Sequence, residues 1–233
     1  MPLIEILYGD VMEKFCKTYY CDTSFLIGNE ELIEKRMSEV DEERRARIQR
    51  ARFADTKADI LAGGLIIKAA LKAACGIEDP KVYRNEYGKL YLEGRDDVFF
   101  NISHSGTMVI CTVSDVECGV DIEDANAPHE IMGMARRFLS VLELDSVMLS
   151  DNPNRAFCRL WTLRESYVKM RGLGFNIGLS TLKCDFHRGR AKMIEGGKEQ
   201  NDAFFRELHG IPGYQASVCL KEERENTVHK IEI

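Results

Sequence analysis

The sequence predicts an α+β fold of two similar lobes, each a long helix packed on a mainly antiparallel sheet. One observation is that a long helical segment followed by several short strand-like segments occurs twice along the 233 residues. Another is that no low-complexity stretch or long linker separates the two occurrences, so we expect them to pack closely. The division is expected near residue 115, giving an N-terminal lobe at residues 1–115 and a C-terminal lobe at residues 116–233.

In the first half, one strand and two polar helices precede a long helix. The predicted strand and polar helices span residues 3–8, 30–37 and 41–52. The long helix, at residues 55–75, carries an apolar stripe at helical spacing, and Gly76 suits the left-handed position that often ends a helix. Gly63 and Gly64 in its middle predict the close approach of another backbone or of a ligand.

Segments rich in β-branched and aromatic residues follow, which predicts a run of strands. These strands span residues 81–84, 89–92, 98–102, 108–113 and 119–122. The second half begins with a helix at residues 128–139, and Ser140 with Glu143 forms a capping box for the next helix. A second long helix spans residues 154–171 and is closed by Gly172. The remaining strands span residues 182–186, 191–194, 203–207, 215–220 and 228–233.

Composition excludes several classes of protein. A net charge of −6 argues against wholesale nucleic-acid binding, which usually requires a basic excess. No apolar run approaches the length of a membrane span, and the N-terminus lacks the basic and small-residue features of a signal peptide. The eight cysteines are scattered without a CxxC pair, which is typical of reduced thiols. We therefore expect a cytoplasmic protein with no membrane or nucleic-acid partner.

Two motifs offer three carboxylates and a lysine. In GVDIE, at residues 119–123, a strand would point Asp121 and Glu123 to the same face. In WTLRESYVK, at residues 161–169, Glu165 and Lys169 share a helix face at i and i+4. Three hard oxygen ligands with room for phosphate oxygens describe a Mg²⁺ site. The alternative for either motif alone is a solvated strand edge or an ordinary Glu–Lys helix pair.

Two further segments could contact phosphate. NISHS, at residues 101–105, reads as the end of a strand with Ser103 and His104 at a turn. His104 there could contact a phosphate, act as a base or simply cap the turn. Five arginines lie within residues 44–52, and Arg44 and Arg47 share a helix face. This run is either a solvated face or a phosphate contact, since guanidinium meets phosphate bidentately.

Four motifs in this order resemble the phosphopantetheinyl transferases, specifically the larger, surfactin-synthetase-activating type. The chain has NISHS at residues 101–105, GVDIE at 119–123, FLSVLE at 138–143 and WTLRESYVK at 161–169. The resemblance covers roughly residues 41–180. Each motif alone is weakly specific, whereas four in the right order and spacing are specific. The resemblance implies two similar α+β lobes with the active site in the cleft between them, and a monomer.

The resemblance also implies an activity, transfer of the 4′-phosphopantetheine arm of coenzyme A to a serine of an apo acyl or peptidyl carrier protein, with release of 3′,5′-ADP. Asp121, Glu123 and Glu165 match the Mg²⁺ ligands of the family. Lys169 matches a lysine that contacts the phosphates and aids departure of 3′,5′-ADP. The acceptor would belong to fatty acid, polyketide or peptide biosynthesis. Glu165, or a metal-bound water that it polarises, would be the base, and both possibilities stay open.

The remaining matches concern the coenzyme A nucleotide. Ser103 and His104 match residues at the 3′-phosphate, and Lys89 matches a lysine near the adenine and phosphates. Arg44 and Arg47 fall where the family places basic residues that grip the nucleotide. Ile60 departs from the pattern, because it stands where a hydroxyl residue is expected to touch coenzyme A. Two alternative functions remain, a Mg²⁺-dependent nucleotide phosphohydrolase and a non-catalytic coenzyme A binding module.

Overall fold

The computed structural model describes residues 14–127 and 131–233. The described residues form six α-helices: α1 Glu30–Arg36, α2 Glu42–Arg50, α3 Ala54–Cys75, α4 Ile131–Phe138, α5 Val141–Met148 and α6 Pro153–Arg171. They also form twelve strands: β1 Cys16–Asp22, β2 Val82–Arg84, β3 Leu90–Leu92, β4 Phe99–Ser105, β5 Met108–Ser114, β6 Cys118–Asp124, β7 Leu182–His187, β8 Arg190–Glu195, β9 Lys198–Glu199, β10 Phe204–Leu208, β11 Tyr214–Leu220 and β12 Thr227–Lys230. Helices packed on antiparallel sheets confirm the predicted α+β class.

The first large sheet carries helix α3. Its strand order is β12-β1-β5-β4, and all pairs are antiparallel except the parallel pair of β1 with β12. Buried residues of α3, such as Leu61 and Ile66, pack with Val109, Cys111 and Val113 of β5. Burial of this continuous apolar face stabilises the helix in the way the apolar stripe predicts.

The second sheet, in the order β10-β11-β6, lies between α6 and the first sheet. Val120 and Ile122 of β6 point towards Met108 and Ile110 of β5 in a shared apolar core. Because strand side chains alternate, the intervening residues of β6 point to the opposite face, where α6 packs. Two smaller sheets, β2-β3 and β7-β8-β9, complete the architecture.

Side chains join β4 to β6 without a backbone ladder between them. The Asn101 side-chain carbonyl accepts a hydrogen bond from the backbone N–H of Val120 at 3.0 Å. Ser105 Oγ accepts one from the backbone N–H of Asp124 at 3.1 Å. These contacts place the NISHS segment directly beside GVDIE.

Most predicted elements are present, with ends shifted by a few residues. Strand β4 is longer than predicted, so Ser103 and His104 lie within a strand and not at a turn. The reason is that β4 pairs with β5 as far as Ser105. Ser103 is therefore buried while His104, its neighbour, points outward.

Strand β1 was not predicted, and the predicted strand at residues 3–8 lies outside the described residues. β1 sits between β5 and β12 and buries Thr18 as well as Cys16 and Tyr19, so its sequence lacks the alternation of a half-exposed strand. The buried Thr18 hydroxyl is satisfied by the Thr112 hydroxyl at 2.8 Å. Division of the chain into lobes at residue 115 stays a prediction. No helix of residues 14–127 and 131–233 is both long and apolar enough to cross a bilayer.

Candidate active site

A cleft of about 800 Å³ opens between α2, α3, β4 and α6. Its walls bring together seven residues that the sequence singled out: Arg44, Arg47, Lys89, Ser103, His104, Glu165 and Lys169. These residues come from segments more than 120 positions apart in the chain, so the fold alone assembles them. A concave site of this size suits a large small-molecule ligand.

Neither carboxylate of GVDIE is among the residues that line this cleft, but Asp121 contacts Ser103 and Lys169, which do line it. Asp121 is buried, and its Oδ1 accepts hydrogen bonds from Ser103 Oγ and Lys169 Nζ, each at 2.7 Å. Glu123 Oε2 accepts a hydrogen bond from Ser105 Oγ at 2.9 Å. The predicted common face is therefore present. Each carboxylate is oriented by a serine of β4.

Glu165 lies close enough to this pair to interact with it electrostatically. Burial raises the pKa of its carboxyl group, Asp121 and Glu123 raise it further, and Lys169 opposes them. Lys169 Nζ also donates to Ser103 Oγ at 2.8 Å, so its ammonium group bridges β4 and β6. One end of the cleft thus concentrates negative charge around a single lysine.

This end has the chemistry of a hard-cation site. Asp121 Oδ2 is buried and has no hydrogen-bond partner, which is costly unless another group supplies a positive charge or a donor. Carboxylate oxygens are the ligands that Mg²⁺ prefers. As they stand, however, no three His, Cys, Asp or Glu side chains among residues 14–127 and 131–233 are gathered closely enough to hold a metal ion.

Gly119, the first residue of GVDIE, explains how α6 reaches these carboxylates. A Cβ atom on Gly119 would lie 2.1 Å from the carbonyl oxygen of Ser166 and 2.3 Å from the backbone nitrogen of Met170. Only glycine permits so close an approach of helix and strand. Glu165 and Lys169 extend over β6 because α6 rests directly on its backbone.

Gly64 of α3 permits a similarly close contact on the side of the cleft that carries Arg44. A Cβ atom there would lie 2.5 Å from Val40 Cγ1 and 2.9 Å from Arg44 Cδ. The groups that approach the two glycines of α3 are side chains, not the backbone or ligand that the sequence predicted, and the missing Cβ atoms leave room for Val40 and Arg44 against α3. Arg44 is buried as a result, and burial lowers the pKa of its guanidinium group.

The basic residues at this wall are already paired with carboxylates. Arg44 Nε lies 3.3 Å from Asp41, whose side chain also caps α2. Arg47 lies 3.9 Å from Glu43. Arg84 lies 3.2 Å from the same Glu43 oxygen. The arginine run is thus both a helix face with local ion pairs and one wall of the cleft.

Lys89 contacts other residues of the protein as well as lining the cleft, which its match to a nucleotide-binding lysine did not predict. Its buried ammonium group forms an ion pair with Glu117 and donates to the backbone carbonyl of Met170 at 2.8 Å. Tyr91 donates to the other Glu117 oxygen at 3.0 Å. Lys89 therefore ties β3 to the end of α6 as well as lining the cleft.

Three lining or supporting residues were missed by the sequence analysis, namely Asp59, Arg84 and Glu117. Asp59 Oδ2 lies 3.8 Å from His104 Nδ1. Burial raises the pKa of Asp59, while His104 opposes the shift. Arg84 is only five positions before Lys89, and this nearness to a predicted site residue is a signal that could have identified it. Asp59 and Glu117 lie outside every recognisable motif, so no local signal marked them.

The FLSVLE motif has a structural role. Glu143 completes the predicted capping box with Ser140, and its Oε1 accepts from Arg164 Nη2 at 2.5 Å and from the backbone N–H of Cys184 at 2.8 Å. Arg164, from WTLRESYVK, is fully buried. Burial alone would raise the pKa of Glu143, but Arg164, Cys184 and Ser140 together lower it. The pair fixes α5 against α6.

Trp161, in the same motif as Arg164, packs against neighbouring rings. Its ring centroid lies 5.3 Å from that of Phe138 and 5.8 Å from that of Phe157. The motif therefore combines packing residues with the polar pair that faces the cleft.

Carboxylates and a lysine at one end of a basic cleft define a class of enzymes that act on phosphate-bearing ligands. Residues 117–219 match the family described as the 4′-phosphopantetheinyl transferase superfamily. The chain is 27% identical over 190 residues to 4′-phosphopantetheinyl transferase Sfp of Bacillus subtilis (strain 168), covering 80% of this chain and 84% of that protein. It is 28% identical over 204 residues to another 4′-phosphopantetheinyl transferase of Bacillus subtilis, covering 86% and 89%. Over most of its length the chain is therefore similar to 4′-phosphopantetheinyl transferases of the Sfp type.

One solved structure gives a partial alignment. Holo-[acyl-carrier-protein] synthase of Thermotoga maritima aligns with a TM-score of 0.37 and 18% identity, over 47% of this chain and 64% of that chain.

Proposed function

We propose that this protein transfers the 4′-phosphopantetheine group of coenzyme A to a serine hydroxyl of an apo carrier protein, releasing 3′,5′-ADP. The observation that carries the proposal is a single cleft with a basic wall, formed by Arg44, Arg47 and Lys89, that also contains Glu165 and Lys169. Lys169 in turn contacts the buried Asp121. Coenzyme A has the matching polarity, with a nucleotide at one end and a pyrophosphate linking it to the transferred arm.

Asp121, Glu123 and Glu165 would hold Mg²⁺ in the proposed site. The unpartnered Asp121 Oδ2 and the pKa of Glu165, raised by burial and by the other two carboxylates, support this fit. When bound, the ion neutralises pyrophosphate charge. The residues of the chain then have distinct tasks in binding, orientation and proton transfer.

In the proposed step the acceptor serine oxygen forms a bond to the phosphorus that bears pantetheine, and the bond from that phosphorus to the ADP oxygen breaks. The serine proton passes to Glu165, directly or through a water. Glu165 lines the cleft, so its carboxylate can accept that proton. Lys169 offsets the negative charge that accumulates on the departing 3′,5′-ADP, because its ammonium group lies at the same end of the cleft.

The basic wall distinguishes this function from the alternatives. A nucleotide phosphohydrolase would use the carboxylates but would not need the wall formed by Arg44, Arg47 and Lys89. A non-catalytic coenzyme A binding module would not need a buried acidic cluster paired with Lys169. Transfer to a protein acceptor is the function that uses both ends of the cleft.

The cellular compartment, the oligomeric state and the partners are also part of the proposal. We expect a cytoplasmic monomer acting on carrier proteins of fatty acid, polyketide or peptide biosynthesis, with no membrane or nucleic-acid partner. Eight free thiols, six of them buried, are compatible with a reducing compartment. The net charge of −6 makes nucleic acid an unfavourable partner.

The test is incubation with coenzyme A, Mg²⁺ and a panel of apo carrier proteins, followed by intact-mass measurement of each carrier. We expect one phosphopantetheine group per carrier and no gain on a carrier whose acceptor serine is replaced by alanine. Asp121→Ala and Glu123→Ala should abolish transfer while the fold persists. Release of phosphate or AMP without a protein acceptor would identify a hydrolase, and tight coenzyme A binding without transfer would identify a binding module.

A further inference from the structure

Ser105, the last residue of β4, contacts the carboxylates of GVDIE, although the resemblance gave it no role. Ser103 and His104, its neighbours in NISHS, were matched to the nucleotide. Ser105 Oγ donates a hydrogen bond to Glu123 Oε2 at 2.9 Å and accepts one from the backbone N–H of Asp124 at 3.1 Å. Ser105 is not among the described residues that line the cleft, so its hydroxyl can affect a bound ligand only through another side chain.

The two hydrogen bonds of this hydroxyl have a fixed direction. A serine hydroxyl carries a single proton and rotates to suit its partners. The backbone N–H of Asp124 can only donate, so it occupies a lone pair of Ser105 Oγ and turns the proton towards Glu123. A hydrogen bond to a carboxylate is stronger than one between neutral groups. Ser105 therefore holds one oxygen of Glu123 in place.

The same arrangement is repeated at Ser103. Its Oγ donates to Asp121 Oδ1 at 2.7 Å and accepts from Lys169 Nζ at 2.8 Å. Each serine stands 18 positions before its carboxylate, and both strands alternate with a period of two. β4 thus supplies one hydroxyl to each carboxylate of GVDIE. The two serines differ in that Ser103 also lines the cleft.

The backbone around Ser105 is held in place by β5 and β11. Ser105 pairs with Met108 across the β4–β5 hairpin. Gly106 follows with a φ of +55°, and a Cβ atom there would lie 2.9 Å from Tyr214 Oη. The same Tyr214 oxygen accepts a hydrogen bond from the backbone N–H of Thr107 at 3.3 Å. The hydroxyl therefore projects from a constrained backbone, as is needed in a residue that orients another side chain.

A glutamate ligand needs such a partner more than an aspartate ligand does. Glutamate has one more rotatable bond, so it loses more conformational freedom when it is fixed. In the proposed site Glu123 also shares its ion with Asp121 and Glu165, and like charges oppose the gathering of these carboxylates. A donor that fixes Glu123 before the ion arrives removes part of both costs.

We propose that Ser105 is a positioning residue that orients Glu123 towards the Mg²⁺ ion and so sets the metal affinity of the site. The inference rests on the proposed function, in which Glu123 is a ligand of that ion. It gives Ser105 no contact with coenzyme A or the carrier protein and no part in proton transfer. Removing a hydrogen bond behind a metal ligand typically costs about 10- to 100-fold in metal affinity.

The experiment measures Mn²⁺ binding in the presence of coenzyme A and without a carrier, from the electron paramagnetic resonance signal of the free ion. Mn²⁺ replaces Mg²⁺ because both prefer carboxylate and phosphate oxygens. Ser105→Ala should weaken Mn²⁺ binding by about tenfold. Ser105→Thr keeps the hydroxyl and should stay within about threefold of the unmodified protein, whereas Ser105→Cys keeps the packing with a weak donor and should fall between.

Transfer kinetics give a second measurement. The Mg²⁺ concentration for half-maximal transfer should rise by about tenfold in Ser105→Ala, and the rate at saturating Mg²⁺ should fall by less, because the lost contact acts on metal binding. Equal losses of Mn²⁺ affinity in the alanine and threonine variants would show that the hydroxyl has no such role.

Ser114→Ala is the matched control. Ser114 Oγ accepts from the backbone N–H of Val116 at 3.3 Å and donates to the carbonyl of Phe15 at 2.9 Å, so the change removes the same pair of bonds without touching a carboxylate. It should lower the free energy of unfolding and leave the Mn²⁺ affinity unchanged. Equal losses of affinity in Ser114→Ala and Ser105→Ala, or no loss in Ser105→Ala, would overturn the inference.

Metal binding also separates this inference from the transfer activity. If Ser105→Ala weakens Mn²⁺ binding and the unmodified protein modifies no carrier, Ser105 keeps its role and the proposed transfer fails. If transfer occurs and the Mn²⁺ affinity is unchanged in Ser105→Ala, the role of Ser105 fails alone. Absence of Mn²⁺ binding by the unmodified protein would overturn the metal site and the role of Ser105 together.

Discussion

Replacing Gly119 with alanine should uncouple the two halves of the candidate site. The added Cβ atom would lie 2.1 Å from the carbonyl oxygen of Ser166, whereas ordinary contacts begin at 3.4 Å. Since this obstacle is helix backbone, α6 must retreat from β6 by about 1.3 Å. Overpacking of this kind costs about 1–3 kcal/mol. We expect the free energy of unfolding to fall by an amount in this range.

The same displacement of α6 from β6 should also slow the proposed transfer reaction. The hydrogen bond from Lys169 Nζ to Asp121 Oδ1 is 2.7 Å long, so the displacement would stretch it to about 4 Å, which is no longer a hydrogen bond. A misplacement of about 1 Å in a catalytic group can cost about 100-fold in rate. Single-turnover transfer from coenzyme A to a carrier should therefore slow by about this factor, even where the protein remains folded.

Gly178→Ala is the control for this prediction. Gly178 has an ordinary φ of −71°, and a Cβ atom there would lie 3.5 Å from Thr181, so the change should affect neither property. Stability is measured by denaturant unfolding and the rate by quenched single turnovers. An unfolding free energy and transfer rate of Gly119→Ala equal to those of the unmodified protein would refute the reasoning from close helix–strand contact.

Further changes test the site and its supports. Asp121→Asn should slow transfer by about 100-fold because it removes charge where Lys169 and the phosphates meet, and full activity at saturating Mg²⁺ would contradict this. Lys169→Ala should slow single turnovers at saturating coenzyme A, and Lys169→Arg should recover only part, because a planar guanidinium cannot replace a compact ammonium; a normal rate for Lys169→Ala would make it only a surface partner of the helix. Glu143→Ala should cost about 3–5 kcal/mol in denaturant unfolding because it leaves Arg164 buried without a counter-ion, and adding Arg164→Met should recover stability. Because the folded-state pKa of Glu143 is lowered, its contribution to folding stability is present above about pH 4.3 and is lost as the pH falls below that. Unfolding curves from pH 7 to pH 3 should therefore show a loss of stability that Glu143→Gln reduces. An unchanged pH dependence in that variant would be contrary to the assignment.

The parts of the site that follow from spacing were predictable from the sequence. A period of two on β6 puts Asp121 and Glu123 on one face, and a period of four on α6 aligns Glu165 with Lys169. The long helices were equally accessible, since their apolar stripes and terminal glycines are local signals. The capping box of Ser140 and Glu143 is another local signal that the structure confirms.

Pairings between distant segments were not predictable in this way. Nothing near Lys89 in the sequence indicates that its partner is Glu117, or that it reaches the carbonyl of Met170. Strand β1 was missed because its polar Thr18 is satisfied by Thr112, 94 positions later. The turn predicted at His104 was wrong because pairing with β5 extends β4 beyond its apolar residues. Each of these outcomes depends on tertiary contacts that a local pattern does not contain.

The parallel pairing of β12 with β1 has a consequence for synthesis of the chain. Lys17 to Tyr20 of β1 pair with Thr227 to Lys230, so the strand cannot complete its hydrogen bonds until residue 230 has left the ribosome. Until then, one edge of β1 remains open to pairing with other chains. Contacts across so large a sequence separation also slow folding. We therefore expect nascent chains that stop short of residue 227 to depend on chaperones far more than the released protein does.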